Sequence, residues 1–95
     1  MIQFINNDEL YREWTKKNSE GFVVNSFKTP APNYLILHKA SCYTIRELKG
    51  NAESFTDKYS KTCSNDLDKL TKWAKEDIGG ELHRCRKCLK YYNYR

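Results

Sequence analysis

Two short spacings, His38-x-x-x-Cys42 and Cys85-x-x-Cys88, constrain this chain more than any other feature of it. Two residues between thiolates allow a tight turn to hold both sulfurs about 2.3 Å from one metal ion. His38 closes an apolar segment and Cys42 lies in the turn that follows, so the chain can fold back and bring the two side chains together. Joined, the pairs predict one tetrahedral zinc site of one histidine and three cysteines: His38, Cys42, Cys85 and Cys88. Such a site ties the middle of the chain to its C-terminal part, and a small domain gains most from a staple of that reach. Cys63, the remaining cysteine, is an alternative to His38 in an all-cysteine site. It also reads as a small buried hydrophobe that binds no metal. At the level of sequence these readings stay open.

The competing readings of the cysteines are weaker. Two disulfides need an oxidising compartment, and the first residues, Met1-Ile2-Gln3-Phe4-Ile5-Asn6-Asn7-Asp8-Glu9, carry neither a basic leader nor a long apolar run. The expectation is a cytoplasmic protein. A thioredoxin-like pair needs its first cysteine at the head of a helix, and only seven residues follow Cys88. The chain's 95 residues are one small domain, spanning 1–95. Its longest apolar run, 34–37, is far short of the ~20 residues that cross a membrane.

Charge adds one local feature. The chain has 17 Lys and Arg against 12 Asp and Glu, for a net charge of +5. Arg84, Arg86, Lys87, Lys90 and Arg95 hold the whole excess, because removing those five leaves 12 cations against 12 anions in residues 1–83. The basic patch therefore surrounds Cys85 and Cys88. Thiolates on a zinc ion cancel part of it, so the patch is small.

The pattern of apolar residues predicts an α+β domain: a small antiparallel sheet with two helices, stapled by one structural zinc. A first helix is expected over 7–18, capped by Asn6 or Asn7, with Leu10, Tyr11 and Trp14 on one face and Ile5 stapled to it. Gly21 reads as a left-handed terminator. Strands are expected over 22–27 and 34–38, joined as a hairpin across Pro30 and Pro32. The second of these, apolar up to His38, reads as a covered central strand. Residues 41–45 read as a turn or short helical piece, and Lys49-Gly50-Asn51 as a loop. A third strand is expected over 55–63. The clearest helix is 65–78, capped by Ser64 or Asn65, with Leu67, Leu70, Trp73, Ala74 and Ile78 in one stripe and Gly79-Gly80 as its stop. A short extended piece, 81–83, leads to the Cys85 pair, with His83 at the surface. The last residues form a terminal strand or a tail.

The order of these parts resembles the N-terminal zinc-binding domain of the bacterial Ada DNA repair family. The shared features are a strand ending in His38-x-x-x-Cys42, a further strand, a helix, and Gly80-x-Leu82-x-x-Cys85-x-x-Cys88. The resemblance implies ligands at His38, Cys42, Cys85 and Cys88 and places Cys63 in a core strand near the metal. A second resemblance, over about residues 21–88, is to a group of small, poorly characterised bacterial proteins. Its matching residues are Gly21-Phe22-Val23-Val24-Asn25, Pro30, Leu37-His38-Lys39-Ala40-Ser41-Cys42, Tyr59-Ser60-Lys61-Thr62-Cys63, Leu70, Trp73, Cys85 and Cys88. In that group Cys63 has a counterpart. The Ada domain moves a methyl group from a DNA phosphotriester onto a zinc-bound cysteine. The matching position here is His38, whose lone pair would be committed to the metal, so methyl transfer is not expected.

Two functions follow as expectations. The first is a zinc-stabilised module that binds DNA or RNA, with Arg84, Arg86, Lys87, Lys90 and Arg95 meeting phosphates. Tyr91, Tyr92 and Tyr94 read first as packing and second as base-stacking groups. The second is a protein-interaction adaptor, of a phage- or defence-related kind, in which zinc is purely structural. An enzyme is not expected: there is no Ser-His-Asp signature or phosphate loop, and a cysteine-rich zinc site with four ligands lacks the open position that hydrolysis needs.

Overall fold

A computed structural model describes residues 1–48 and 53–90. The expected loop Lys49-Gly50-Asn51, the tyrosines Tyr91, Tyr92 and Tyr94, and Arg95 lie outside the described residues. The elements are β1 (Ile2–Phe4), α1 (Asp8–Lys17), β2 (Phe22–Phe27), β3 (Leu35–Lys39), α2 (Tyr43–Arg46), β4 (Tyr59–Ser64), α3 (Leu67–Lys72) and β5 (His83–Arg84). Helix α3 runs directly into a π-helical segment, Trp73–Ile78. The five strands lie in the order β1-β4-β2-β3-β5. All neighbours are antiparallel except β3 and β5, which are parallel. The fold is α+β, and among the described residues no helix is long and apolar enough to cross a membrane.

Register sorts the side chains onto two faces, because residues directly opposite one another point the same way. Val23 lies opposite His38 on β3 and Cys63 on β4, while Val24 lies opposite Leu37 and Thr62. On the first face Val23, Cys63 and Phe4 pack with Tyr11 of α1, Ile45 of α2 and Phe55. On the second, Val24, Leu35 and Leu37 pack with Leu70, Ala74 and Leu89. The sheet is thus sandwiched between α1 and α2 on one side and α3 with its π-helical extension on the other. The stripe Leu67, Leu70, Trp73, Ala74 and Ile78 faces this second core as its spacing requires.

Several local expectations are revised. Strand β1 is only three residues long and was not legible ahead of α1. Ile5 is exposed, and Phe4 instead makes the edge contact with Tyr11, ring centroids 6.0 Å apart. Asn7 caps α1 through the Leu10 amide, and Asp66 caps α3 through the Asp68 amide. The strand expected over 55–63 begins only at Tyr59. The reason is Asp8, whose carboxylate accepts the amides of Phe55 and Thr56, each at 2.9 Å, and so diverts them from a strand ladder. Gly79 stops the helix in the left-handed region, φ 82°. Gly21 is not left-handed; it is required by crowding, since a Cβ there would meet Asn65 Oδ1 at 2.6 Å and the Trp14 ring at 2.8 Å.

Candidate metal centre

The centre is assembled from three places in the chain. His38 sits near the end of β3, on the face shared with Val23 and Cys63. After Lys39 the chain turns sharply: the Cys42 amide donates to the Lys39 carbonyl at 2.9 Å, and Cys42 becomes the residue that opens α2. Strand β5 lies parallel to β3, pairing His83 with Ile36 and Arg84 with Leu37. The Cys85 amide then donates to the Leu37 carbonyl at 2.8 Å, which fixes Cys85 beside the β3 terminus. A single tight turn, closed by the Leu89 amide on the Cys85 carbonyl at 3.0 Å, brings Cys88 round. Leu89 anchors that turn by full burial in the second core.

The result is a group of four: one ligand atom each from His38, Cys42, Cys85 and Cys88, all within 4.8 Å of one another. His38, Cys42 and Cys85 are buried and Cys88 half-buried. The sulfurs of Cys42 and Cys85 are 3.9 Å apart. A tetrahedral ion with Zn–S bonds of about 2.3 Å separates two sulfur ligands by about 3.8 Å. The donor set could therefore hold a tetrahedral metal ion without rearrangement of this pair. Cys63 stands outside the group. It is fully buried beneath α1, its Sγ directed at the Lys61 carbonyl, and burial pushes its thiol up to about 12. A thiol held protonated in this way packs as a small hydrophobe.

Backbone amides prepare the sulfurs for negative charge. The Lys39 amide donates to Cys88 Sγ at 3.2 Å and the Lys87 amide to Cys85 Sγ at 3.4 Å. For Cys85, burial works against ionisation, but the amides of Cys88 and Lys87 and hydrogen bonds with Cys88 and Cys42 outweigh it and lower the thiol. For Cys88, burial dominates and, with the charge of Cys42 and Cys85, raises the thiol against the Lys39 amide. A dication bound among the sulfurs would offset the repulsion between thiolates held this close.

Thr44 was not anticipated. Its Oγ1 lies 2.9 Å from Cys42 Sγ, 3.2 Å from His38 Nδ1 and 3.9 Å from Cys85 Sγ. One hydroxyl thus braces three of the four ligand side chains, the role usually taken by hydrogen-bond partners just outside a metal site. The place of Thr44 two residues beyond Cys42 in the sequence does not by itself announce this role. Arg84, Arg86, Lys87 and Lys90 are all exposed around the turn, and Lys39 is an exposed basic neighbour that the sequence pattern did not single out. His83 is exposed on β5, at the surface as expected.

No protein-family model matches this chain, and neither does any curated protein or solved structure.

Proposed function

We propose that this protein is a zinc-stapled domain that binds nucleic acid through the basic face around Cys85 and Cys88. The observation that carries the metal half is the set of four ligand atoms within 4.8 Å, drawn from β3, the head of α2 and the C-terminal turn. Three thiolates and one imidazole form a borderline-soft tetrahedral set, which suits Zn²⁺ over Mg²⁺ or Ca²⁺. With four protein ligands the ion would be structural, supplying folding energy rather than a reactive water. The need for reduced thiols fits a cytoplasmic setting. The likeness in ligand order to the Ada-type domain supports the same reading, without its methyl-transfer chemistry.

The nucleic-acid half rests on Arg84, Arg86, Lys87 and Lys90, four exposed cations within seven residues, two of them between the ligands Cys85 and Cys88 and two flanking that turn. Three or four phosphate contacts give weak, salt-dependent binding, with a log–log salt slope of about −2 to −3 on single strands. Fluorescence anisotropy of the zinc-loaded protein with short DNA and RNA probes at low salt tests this. The combined variant R86Q/K87Q/K90Q should bind more weakly and with a shallower slope. Absence of binding by the unaltered protein at low salt overturns the nucleic-acid reading and leaves the metal reading intact.

A further inference from the structure

The face of the sheet that carries His38 is covered unevenly. Alternate residues of β3 and its lead-in, Tyr34, Ile36 and His38, share that face, as do Asn25 and Lys61 one step from the metal end. Helix α1 and α2 cover the end near His38. At the other end stand Phe27, Tyr34 and Tyr59, which belong to neither core. Phe27 is 42% and Tyr59 39% exposed.

These rings are organised. Phe27 lies 4.8 Å from Tyr34 and 6.2 Å from Tyr59, with interplanar angles of 26° and 23°. Tyr34 and Tyr59 are 6.0 Å apart and tilted by 44°, which closes a triangle of rings with Phe27 stacked on each tyrosine. Two polar side chains one step along the same face, half-buried Asn25 and buried Lys61, contact the tyrosines. Asn25 Nδ2 donates to the Tyr34 hydroxyl at 3.3 Å, and Lys61 Nζ sits 6.0 Å from the Tyr59 ring centre while donating to Asn25 Oδ1 at 2.7 Å. Rings fixed in this way lose little freedom when a flat ligand stacks on them.

The charges nearby favour one occupant. Lys28 follows Phe27 and Lys58 precedes Tyr59, and both are exposed. Lysine is depleted at the centres of protein interfaces, whereas lysines beside exposed aromatic rings are the usual makeup of single-strand binding surfaces. Asp57 precedes Lys58 and offsets part of its field, so the electrostatic share is modest.

We propose that Phe27, Tyr34 and Tyr59 form a base-stacking surface for single-stranded nucleic acid, with Lys28 and Lys58 meeting the flanking phosphates. This rests on the nucleic-acid reading above and adds a second contact to it. The rings stand at the start of β3 and the basic turn beside its end, about 20 Å apart for a six-residue strand.

The test uses the zinc-loaded full chain and three labelled probes: an oligothymidylate of about twelve nucleotides, its abasic counterpart, and the matching duplex. Tyr34→Leu and Tyr59→Leu keep apolar bulk, and K28Q/K58Q leaves the rings untouched. Zinc content and far-ultraviolet circular dichroism confirm folding. The ring variants should bind the oligothymidylate about 10-fold more weakly and the abasic probe unchanged. K28Q/K58Q should lower the salt slope by about one. If the unaltered protein binds but the ring variants bind equally well, the stacking surface is overturned while the basic face stands. Equal affinity for the oligothymidylate and the abasic probe overturns it as well. If R86Q/K87Q/K90Q alone abolishes binding to every probe while the ring variants match the parent, only the basic face is in use.

Discussion

The sulfurs of Cys42 and Cys85 stand 3.9 Å apart although 43 positions separate the residues in the chain. No turn brings them together. They meet because β5 pairs in parallel with β3, and the Cys85 amide continues that pairing onto Leu37. A two-residue strand cannot hold this alignment by itself. A metal ion on both sulfurs would, which makes the C-terminal turn and the ion mutually dependent.

The protein should therefore hold one zinc per chain, and native mass spectrometry of the purified protein should show it with all thiols free on denaturation. Cys42→Ser or Cys85→Ser should lose the metal and the cooperative thermal transition together. Zinc binding in small domains contributes on the order of 10 kcal/mol, which is comparable to their whole stability. A chelator should unfold the parent for the same reason. A full complement of zinc in Cys85→Ser would remove Cys85 from the ligand set.

Cys63 should behave differently. Cys63→Ala should keep one zinc per chain and lose about 1 kcal/mol from the small void left between β4 and α1. Loss of the metal in this variant, with His38→Ala retaining it, would reverse the assignment of the fourth ligand.

Asp8 is a second fastening point. Its carboxylate accepts from the Thr56 hydroxyl at 2.6 Å, the Ser54 hydroxyl at 3.0 Å and the amides of Phe55 and Thr56 at 2.9 Å each. Burial works to raise this carboxyl, but the Thr56 hydroxyl, the Phe55 amide and the other donors prevail and hold it below 3.8. A carboxylate lowered on folding stabilises the protein above its unfolded value and loses that contribution as pH falls through the folded one. Asp8→Asn should cost about 1–3 kcal/mol at neutral pH. It should also flatten the acid limb of stability, read by urea unfolding between about pH 5 and 2.

The layers of the fold were legible because their residues obey simple periods. The hairpin β2–β3 and the stripe of α3 with its extension follow apolar spacings that a core must satisfy; in α1 only Tyr11 and Trp14 of the expected face pack on the core, while Leu10 is exposed and Thr15 is buried in its place. What escaped depends on long-range partners. Strand β1 gains its identity only by pairing with Cys63, Thr62 and Lys61. The start of β4 is set by Asp8, far away in sequence. The π-helical winding of Trp73–Ile78 leaves the same residues facing the core, so apolar spacing does not distinguish it from an α-helix. At the metal centre the ligand spacings were visible, whereas the bracing hydroxyl of Thr44 is a matter of three-dimensional position. The ring cluster was hidden for the opposite reason: Phe27, Tyr34 and Tyr59 look like core residues, and only the sheet's uneven cover leaves Phe27 and Tyr59 exposed and Tyr34 half-buried.

Lys61 gives the last test, at the other end of the pH range. It is 5% exposed, and its ammonium donates to Asn25 Oδ1 and the Phe55 carbonyl, each at 2.7 Å, near the face of the Tyr11 ring. Burial lowers its pKa from 10.5 to about 8, against the opposing pull of Asp8 and Cys63. Between those two values the folded protein binds fewer protons at this site than the unfolded chain. Stability must therefore rise with pH from about 8 to 10.5, by about 3 kcal/mol at most. Urea unfolding at points across this window, in the parent and in Lys61→Met, isolates the contribution, because other titrations are common to both. The parent should gain stability relative to the variant as pH rises. Asp8→Asn, which removes the carboxylate that helps keep Lys61 charged, should move the onset of the rise to lower pH. An identical pH dependence in the parent and Lys61→Met would show that the buried amine keeps its ordinary pKa.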